Sequence, residues 1–184
     1  MGFATSRGAL LALALGAAGA APPAAARVLD SSPAGFTVEN VVIVPVTPSV
    51  AWDGLVNDVD QWWPKDHSWF ATDGRFRIEP RAGGCFCEVA GRREALHMII
   101  TFADPGSLLR MVGGLGPLQG MGLQGALEWR LKPVAAGTQI TLRYVAGGYA
   151  PEPLAKLAPV VDRVQGQQLG GLAAHLGAKP DRPK

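Results

Sequence analysis

Residues 123–144, LQGALEWRLKPVAAGTQITLRY, decide the fold class. Leu123, Leu127, Trp129 and Leu131 alternate with Gln124, Glu128, Arg130 and Lys132. Ile140, Leu142 and Tyr144 alternate with Gln139, Thr141 and Arg143. A period of two, broken by a Gly-containing turn, predicts two half-buried antiparallel strands with one dry and one wet face.

The same period extends upstream. Leu108 to Val112 and Glu94 to Phe102 read as strands on either side of the Asp104-Pro105-Gly106 turn. Cys85 to Ala90 opens after Gly83-Gly84, and Phe76 and Ile78 alternate with charged neighbours. Val38 to Val44 is β-branched and reads as the first strand. Between it and the rest lie helical signals. Thr47 is the expected N-cap and Pro48 the first helical position, with Trp52, Leu55, Val56 and Val59 on one face. A second short turn over Asp60-Gln61-Trp62-Trp63 ends before Pro64.

Downstream the period changes to that of a helix. It starts at Pro153 or Pro159, and Leu154, Leu157, Val161 and Val164 form a stripe that Leu169, Leu172 and Leu176 continue. Gly166, Gly170 and Gly171 are poor helix formers, so either this helix frays or the glycines admit close neighbours. The expected fold is α+β: a curved antiparallel sheet of about six to seven strands wrapped on a long C-terminal helix, with two short helices after the first strand.

The chain has 184 residues, 48% hydrophobic and 17% charged, with a formal net charge of +2. That is about one domain with a real core, and not a disordered tail. No Lys/Arg run exceeds two residues, so a nucleic-acid partner is not expected. Residues 1–26 read as an export signal: Arg7, the apolar run Ala9 to Leu15, and small-residue cleavage candidates near 20 and 26. The run is too short to span a bilayer comfortably. The expected layout is a signal at 1–26, a flexible leader at 27–35, one domain at 36–177 and a disordered tail at 178–184. The mature protein is expected to be periplasmic or secreted.

Three stretches together resemble a known superfamily. Thr47 to Asp58 is similar to the first-helix motif of the START-like helix-grip (SRPBCC) superfamily. Gly83-Gly84-Cys85-Phe86-Cys87-Glu88 resembles its G-G-x-F-x-E strand, and Leu127 to Leu142 its late hairpin. The resemblance covers residues 36 to 177. The nearest pattern is that of polyketide-cyclase-like proteins and homologues of the heat-shock-protein-90 ATPase activator. It implies a largely apolar cavity between sheet and terminal helix, and members that bind lipids, sterols, hormones or polyketide intermediates, some of them cyclases.

Candidate site residues divide by chemistry. Trp62, Trp63, Trp69 and Phe70 are either a cavity rim or core packing, since rigid rings serve both. Phe76 and Met98 are expected among the ligand-binding residues, Trp129 and Tyr144 are core or cavity wall, and Tyr149 could point its hydroxyl inward. Glu88 and His97 are the one acid–imidazole pair that a hairpin would bring together. A turn centred on Arg92-Arg93 puts them opposite each other, with Cys85, Cys87, Val89, Leu96, Met98 and Ile100 on the other, apolar face. A three-residue loop, Gly91 to Arg93, puts Cys87 opposite His97 instead. The first register is the expected one. Glu88 and His97 are then an acid–base pair or an exposed cross-strand ion pair. Cys85 and Cys87 are expected as two small buried hydrophobes, because Cα atoms two strand rises apart, about 6.6 Å, strain a disulfide. His67 and His175 read as surface residues.

No phosphate loop, G-x-S-x-G elbow, H-E-x-x-H or C-x-x-C is present. No cofactor and no metal is expected. The leading expectation is an exported protein that holds a small apolar or amphipathic ligand (lipid, sterol or polyketide-like) without transforming it. It requires a hollow of more than about 100 Å³. One alternative is a cyclase- or hydrolase-like enzyme using Glu88 and His97. Another is a protein-interaction module, which would have a filled core and an exposed apolar patch.

Overall fold

A computed structural model describes Met1 and residues 27–178. Apart from Met1 and residue 178, the expected export signal (1–26) and tail (178–184) lie outside the described residues. The elements run β1 (Arg27–Ser32), β2 (Gly35–Val44), α1 (Pro48–Asn57), α2 (Val59–Trp62), β3 (Arg75–Ile78), β4 (Cys85–Ala90), β5 (Arg93–Asp104), β6 (Leu108–Val112), α3 (Pro117–Gly120), β7 (Gln124–Val134), β8 (Gly137–Gly147) and α4 (Ala158–His175).

The strands form one antiparallel sheet of eight in the order β1-β2-β8-β7-β6-β5-β4-β3. Pairing of β2 with β8 joins the two ends of the domain, and the connection carrying α1 and α2 crosses to the opposite edge. The strand beyond the expected six to seven is β1, in the segment expected to be a flexible leader. It is an edge strand, nearly all exposed. Backbone pairing to β2 holds it, so its side chains carry no burial pattern to read.

Local signals act where expected. The Thr47 hydroxyl caps α1 by accepting from the Val50 N–H at 3.4 Å. Leu127, Trp129, Leu131, Ile140, Leu142 and Tyr144 all point into the core. Pro159 sits in the first turn of α4, while residues Leu154–Lys156 form a separate 3₁₀ turn. The glycines admit close neighbours. A Cβ on Gly171 would lie 2.4 Å from the Trp62 carbonyl oxygen, and one on Gly166 2.9 Å from Asn40 Oδ1. In return the Asn40 amide donates to Asp162 on α4 at 3.1 Å.

The β4–β5 hairpin corrects both registers considered from sequence. Its turn is the two-residue Gly91-Arg92, with Gly91 at φ 63°, and Ala90 pairs with Arg93. The ladder therefore aligns Glu88 with Ala95. It then shifts by one residue between Phe86/Cys87 and Met98/Leu96, leaving His97 as the extra residue of a bulge. The faces of β4 and of Leu96 are reversed from expectation, while Met98 and Ile100 are buried as expected. Phe86, Glu88 and Ala90 point inward, whereas Leu96 is exposed and Cys85 and Cys87 are half-buried on the outer face. The two cysteines are disulfide-bonded, and their Cα atoms are 5.4 Å apart rather than two full strand rises. The strand is therefore not fully extended between them.

Candidate functional site

The first half of α4 does not pack flush on the sheet. A cavity of about 360 Å³ lies between its Leu157-to-Gln168 segment, the β5 and β8 floor at His97 and Tyr144, and two loop clusters. One cluster is Trp63 and residues 66–69. The other is residues 115–118 together with Met121. This explains why Leu157, Val161 and Val164 are only half-buried while Leu169, Leu172 and Leu176 farther along the stripe are buried. The later leucines meet α1 and α2; the earlier side chains meet space. Trp69, Met121 and Val160 line the cavity and are also 50%, 44% and 50% exposed, so they form its mouth.

Of the residues expected to line a cavity, Trp63, Trp69 and Tyr144 do so. Trp62, Phe76, Met98 and Trp129 are buried in the packed core instead. Trp62 donates its indole N–H to the Gly54 carbonyl at 2.9 Å and packs on Trp129 with ring centroids 5.7 Å apart. Tyr149 projects into solvent, 87% exposed, because the chain between β8 and the 3₁₀ turn runs over the surface. The Tyr144 hydroxyl donates to Gly113 O at 2.9 Å and accepts from Leu115 N–H at 3.2 Å. It fastens the loop that forms one cavity wall. Burial pushes the phenol pKa up, against that backbone hydrogen bond.

Glu88 and His97 meet, but not on a wet face. Both are buried, and His97 Nε2 lies 3.0 Å from Glu88 Oε2. Glu88 also accepts from the Ser68 hydroxyl, from Trp69 N–H at 3.1 Å and from Phe70 N–H at 3.2 Å. Burial alone would raise its pKa. The Ser68 hydroxyl, the Trp69 N–H, His97 and the Phe70 N–H outweigh burial and hold the carboxyl below the usual range. An ionised carboxylate only accepts, so His97 Nε2 carries the hydrogen and Nδ1 keeps its lone pair. Burial lowers the His97 pKa, and the hydrogen bond and charge of Glu88 oppose this without reversing it. His97 reaches the cavity; Glu88 does not line it. The pair is thus a neutral imidazole on the wall, backed by a carboxylate that also pins the turn carrying Ser68 and Trp69.

Sequence reasoning missed several wall residues. His67, read as a surface residue, lines the cavity. His175 instead pairs with Asp58 at 2.9 Å, away from the cavity. Gln165 and Gln168, on α4, are 2% and 3% exposed and face the cavity. The available signal was two amides set within an otherwise apolar helix face.

A family profile described as polyketide cyclase / dehydrase and lipid transport matches residues 35–177. No curated protein matches the chain by sequence. Among solved structures, the chain is similar to protein CV1439 from Chromobacterium violaceum, with a TM-score of 0.55 and 16% identity over 79% of this chain and 98% of that one. CalU16 from Micromonospora echinospora gives 0.54 and 13% identity over 78% and 77%. DynU16, from the dynemicin biosynthetic locus, gives 0.55 and 18% identity over 76% of this chain and 46% of that one. At these identities the likeness is one of fold.

Proposed function

This chain belongs to the polyketide cyclase/dehydrase and lipid transport family, and from that premise we propose that it is an exported binding protein that holds a small apolar or amphipathic molecule in its cavity without transforming it. The supporting observation is the hollow itself. Its 360 Å³ lies within the usual size range of ligand sites, and its walls are mostly apolar. Burial of apolar ligand surface there contributes roughly 25 cal/mol per Å². Export rests on the sequence of residues 1–26. The Cys85–Cys87 disulfide supports it, since such bonds persist in oxidising compartments. Among the described residues, no helix is long and apolar enough to cross a membrane.

Native mass spectrometry of protein purified from its own compartment tests the reading. A co-purifying small molecule is expected, and Val164→Trp, which fills the cavity, is expected to lose it. Protein that emerges empty and fails to bind the apolar probe N-phenyl-1-naphthylamine would refute the reading.

A second reading, a cyclase- or hydrolase-like enzyme, is favoured by one observation: a neutral imidazole on the cavity wall, tautomer-fixed by Glu88. In it His97 Nδ1 takes a proton from the bound molecule, and Glu88 holds the ring and stabilises the imidazolium. His97→Gln would then abolish turnover while leaving binding within a fewfold. The interaction-module alternative predicts a filled interior and gains no support from a hollow one.

A further inference from the structure

Four buried side-chain polar atoms among the described residues have no hydrogen-bond partner: Trp63 Nε1, His67 Nδ1, Gln165 Oε1 and Gln168 Oε1. All four residues line the cavity. Buried polar groups in folded proteins are nearly always satisfied, so four orphans around one hollow require an explanation. Gln165 and Gln168 are three residues apart, on the same face of α4, and neither carboxamide bonds to another described residue. Trp63 is held rigid among Trp62, Phe76 and Phe86, with its ring centroid 4.8 Å from that of Phe86. Its N–H cannot turn away to find a partner elsewhere. The titratable side chains on the wall are Asp66, His67, His97 and Tyr144; no Lys or Arg lines the cavity.

Resting on the binding reading above, we infer that the ligand is a neutral, oxygenated apolar molecule. Its hydroxyl hydrogens meet the Gln165 and Gln168 carbonyl oxygens, and an oxygen accepts from Trp63 Nε1–H. A pure hydrocarbon entering the cavity would strip these groups of water and return nothing. An anionic headgroup would find no cation to offset its burial. A hydroxylated skeleton satisfies the greasy walls together with the Gln165, Gln168 and Trp63 polar atoms.

The test is competition against N-phenyl-1-naphthylamine on the full chain, with three probes of matched skeleton: naphthalene, 2,6-dihydroxynaphthalene and 2-naphthoate. The diol is expected to bind about tenfold more tightly than naphthalene, at the strength of ordinary hydrogen bonds. The naphthoate is expected to be weaker than the diol. Gln165→Leu and Gln168→Leu are each expected to weaken the diol about five- to tenfold and to leave naphthalene unchanged or tighter. Gln168→Met serves as a second variant if a leucine variant does not fold, and the wild-type probe ranking stands without any variant. Equal affinity for naphthalene and the diol, or preference for the naphthoate, overturns this inference and leaves the binding reading intact. Failure of every probe to bind overturns both.

Discussion

His97 and Glu88 touch although the ladder does not place them opposite each other. Nε2 lies 3.0 Å from Oε2, while Glu88 is paired with Ala95. The bulge at His97 turns its ring to the inner face, so that His97 and Met98, neighbours in sequence, are both buried. The contact therefore depends on one inserted residue. Deleting His97 would restore plain alternation, with Leu96 outside and Met98 inside, and would remove the contact.

Glu88→Ala strips three donors of their acceptor, the Ser68 hydroxyl, the Trp69 N–H and His97 Nε2, and leaves the Phe70 N–H with Ser68 Oγ alone. The expected loss is roughly 3–5 kcal/mol, since each buried donor left without a partner costs about 1–3 kcal/mol. Chemical denaturation measures it. Hydrogen exchange should show the largest loss of protection at residues 68–70. A loss below about 1 kcal/mol would mean that the network is as weak as a surface pair.

The pH dependence has a definite sign. His97 is held below its ordinary value of 6.5, so the unfolded chain binds the proton more readily. Stability is complete above that value and falls as pH drops through it. Glu88, Asp60 and Glu128 are also depressed, so their contribution is present above their ordinary carboxylate range and falls at still lower pH. The melting temperature of the wild type should decrease between pH 7 and pH 5.5, and His97→Gln should flatten that segment. Equal slopes in the two proteins would contradict a buried neutral His97.

Two adjacent glycines of α4 should respond in opposite directions. A Cβ on Gly170 meets nothing within 4 Å, whereas one on Gly171 lies 2.4 Å from the Trp62 backbone oxygen. Gly170→Ala should stabilise by about 0.5–1 kcal/mol through helix propensity. Gly171→Ala should destabilise by about 1–3 kcal/mol, because backbone must shift. Thermal unfolding of the pair decides it; two changes of the same sign would mean that α4 does not approach α2 so closely.

Tyr144→Phe removes a hydroxyl that donates to Gly113 and accepts from Leu115. The expected cost is about 1–3 kcal/mol, because two buried backbone groups lose their partner. The 113–118 wall should loosen, read as faster amide exchange at Leu115 and a faster off-rate for N-phenyl-1-naphthylamine. If exchange at Leu115 does not change, the hydroxyl does not hold that loop.

Local residue patterns were enough to read the strand faces of residues 127–144, the Thr47-Pro48 helix start, the burial of Phe76 and Ile78 and the long terminal helix. Each is a local pattern repeated at the period of its own element, so neighbouring residues report it. Edge strand β1 left no such trace, since exposed side chains held by backbone bonds follow no pattern. The hairpin register could not be read either, because a one-residue bulge changes which face is buried without changing composition.

Which aromatics line a hollow and which fill a core depends on packing between distant segments. Trp62 and Trp63 are adjacent and equally apolar, yet one seals the contact with α1 and the other faces the cavity. Only the fold brought Gln165, Gln168, His67 and Trp63 around one space. A cavity is the volume that distant segments fail to fill, and no local pattern encodes that failure.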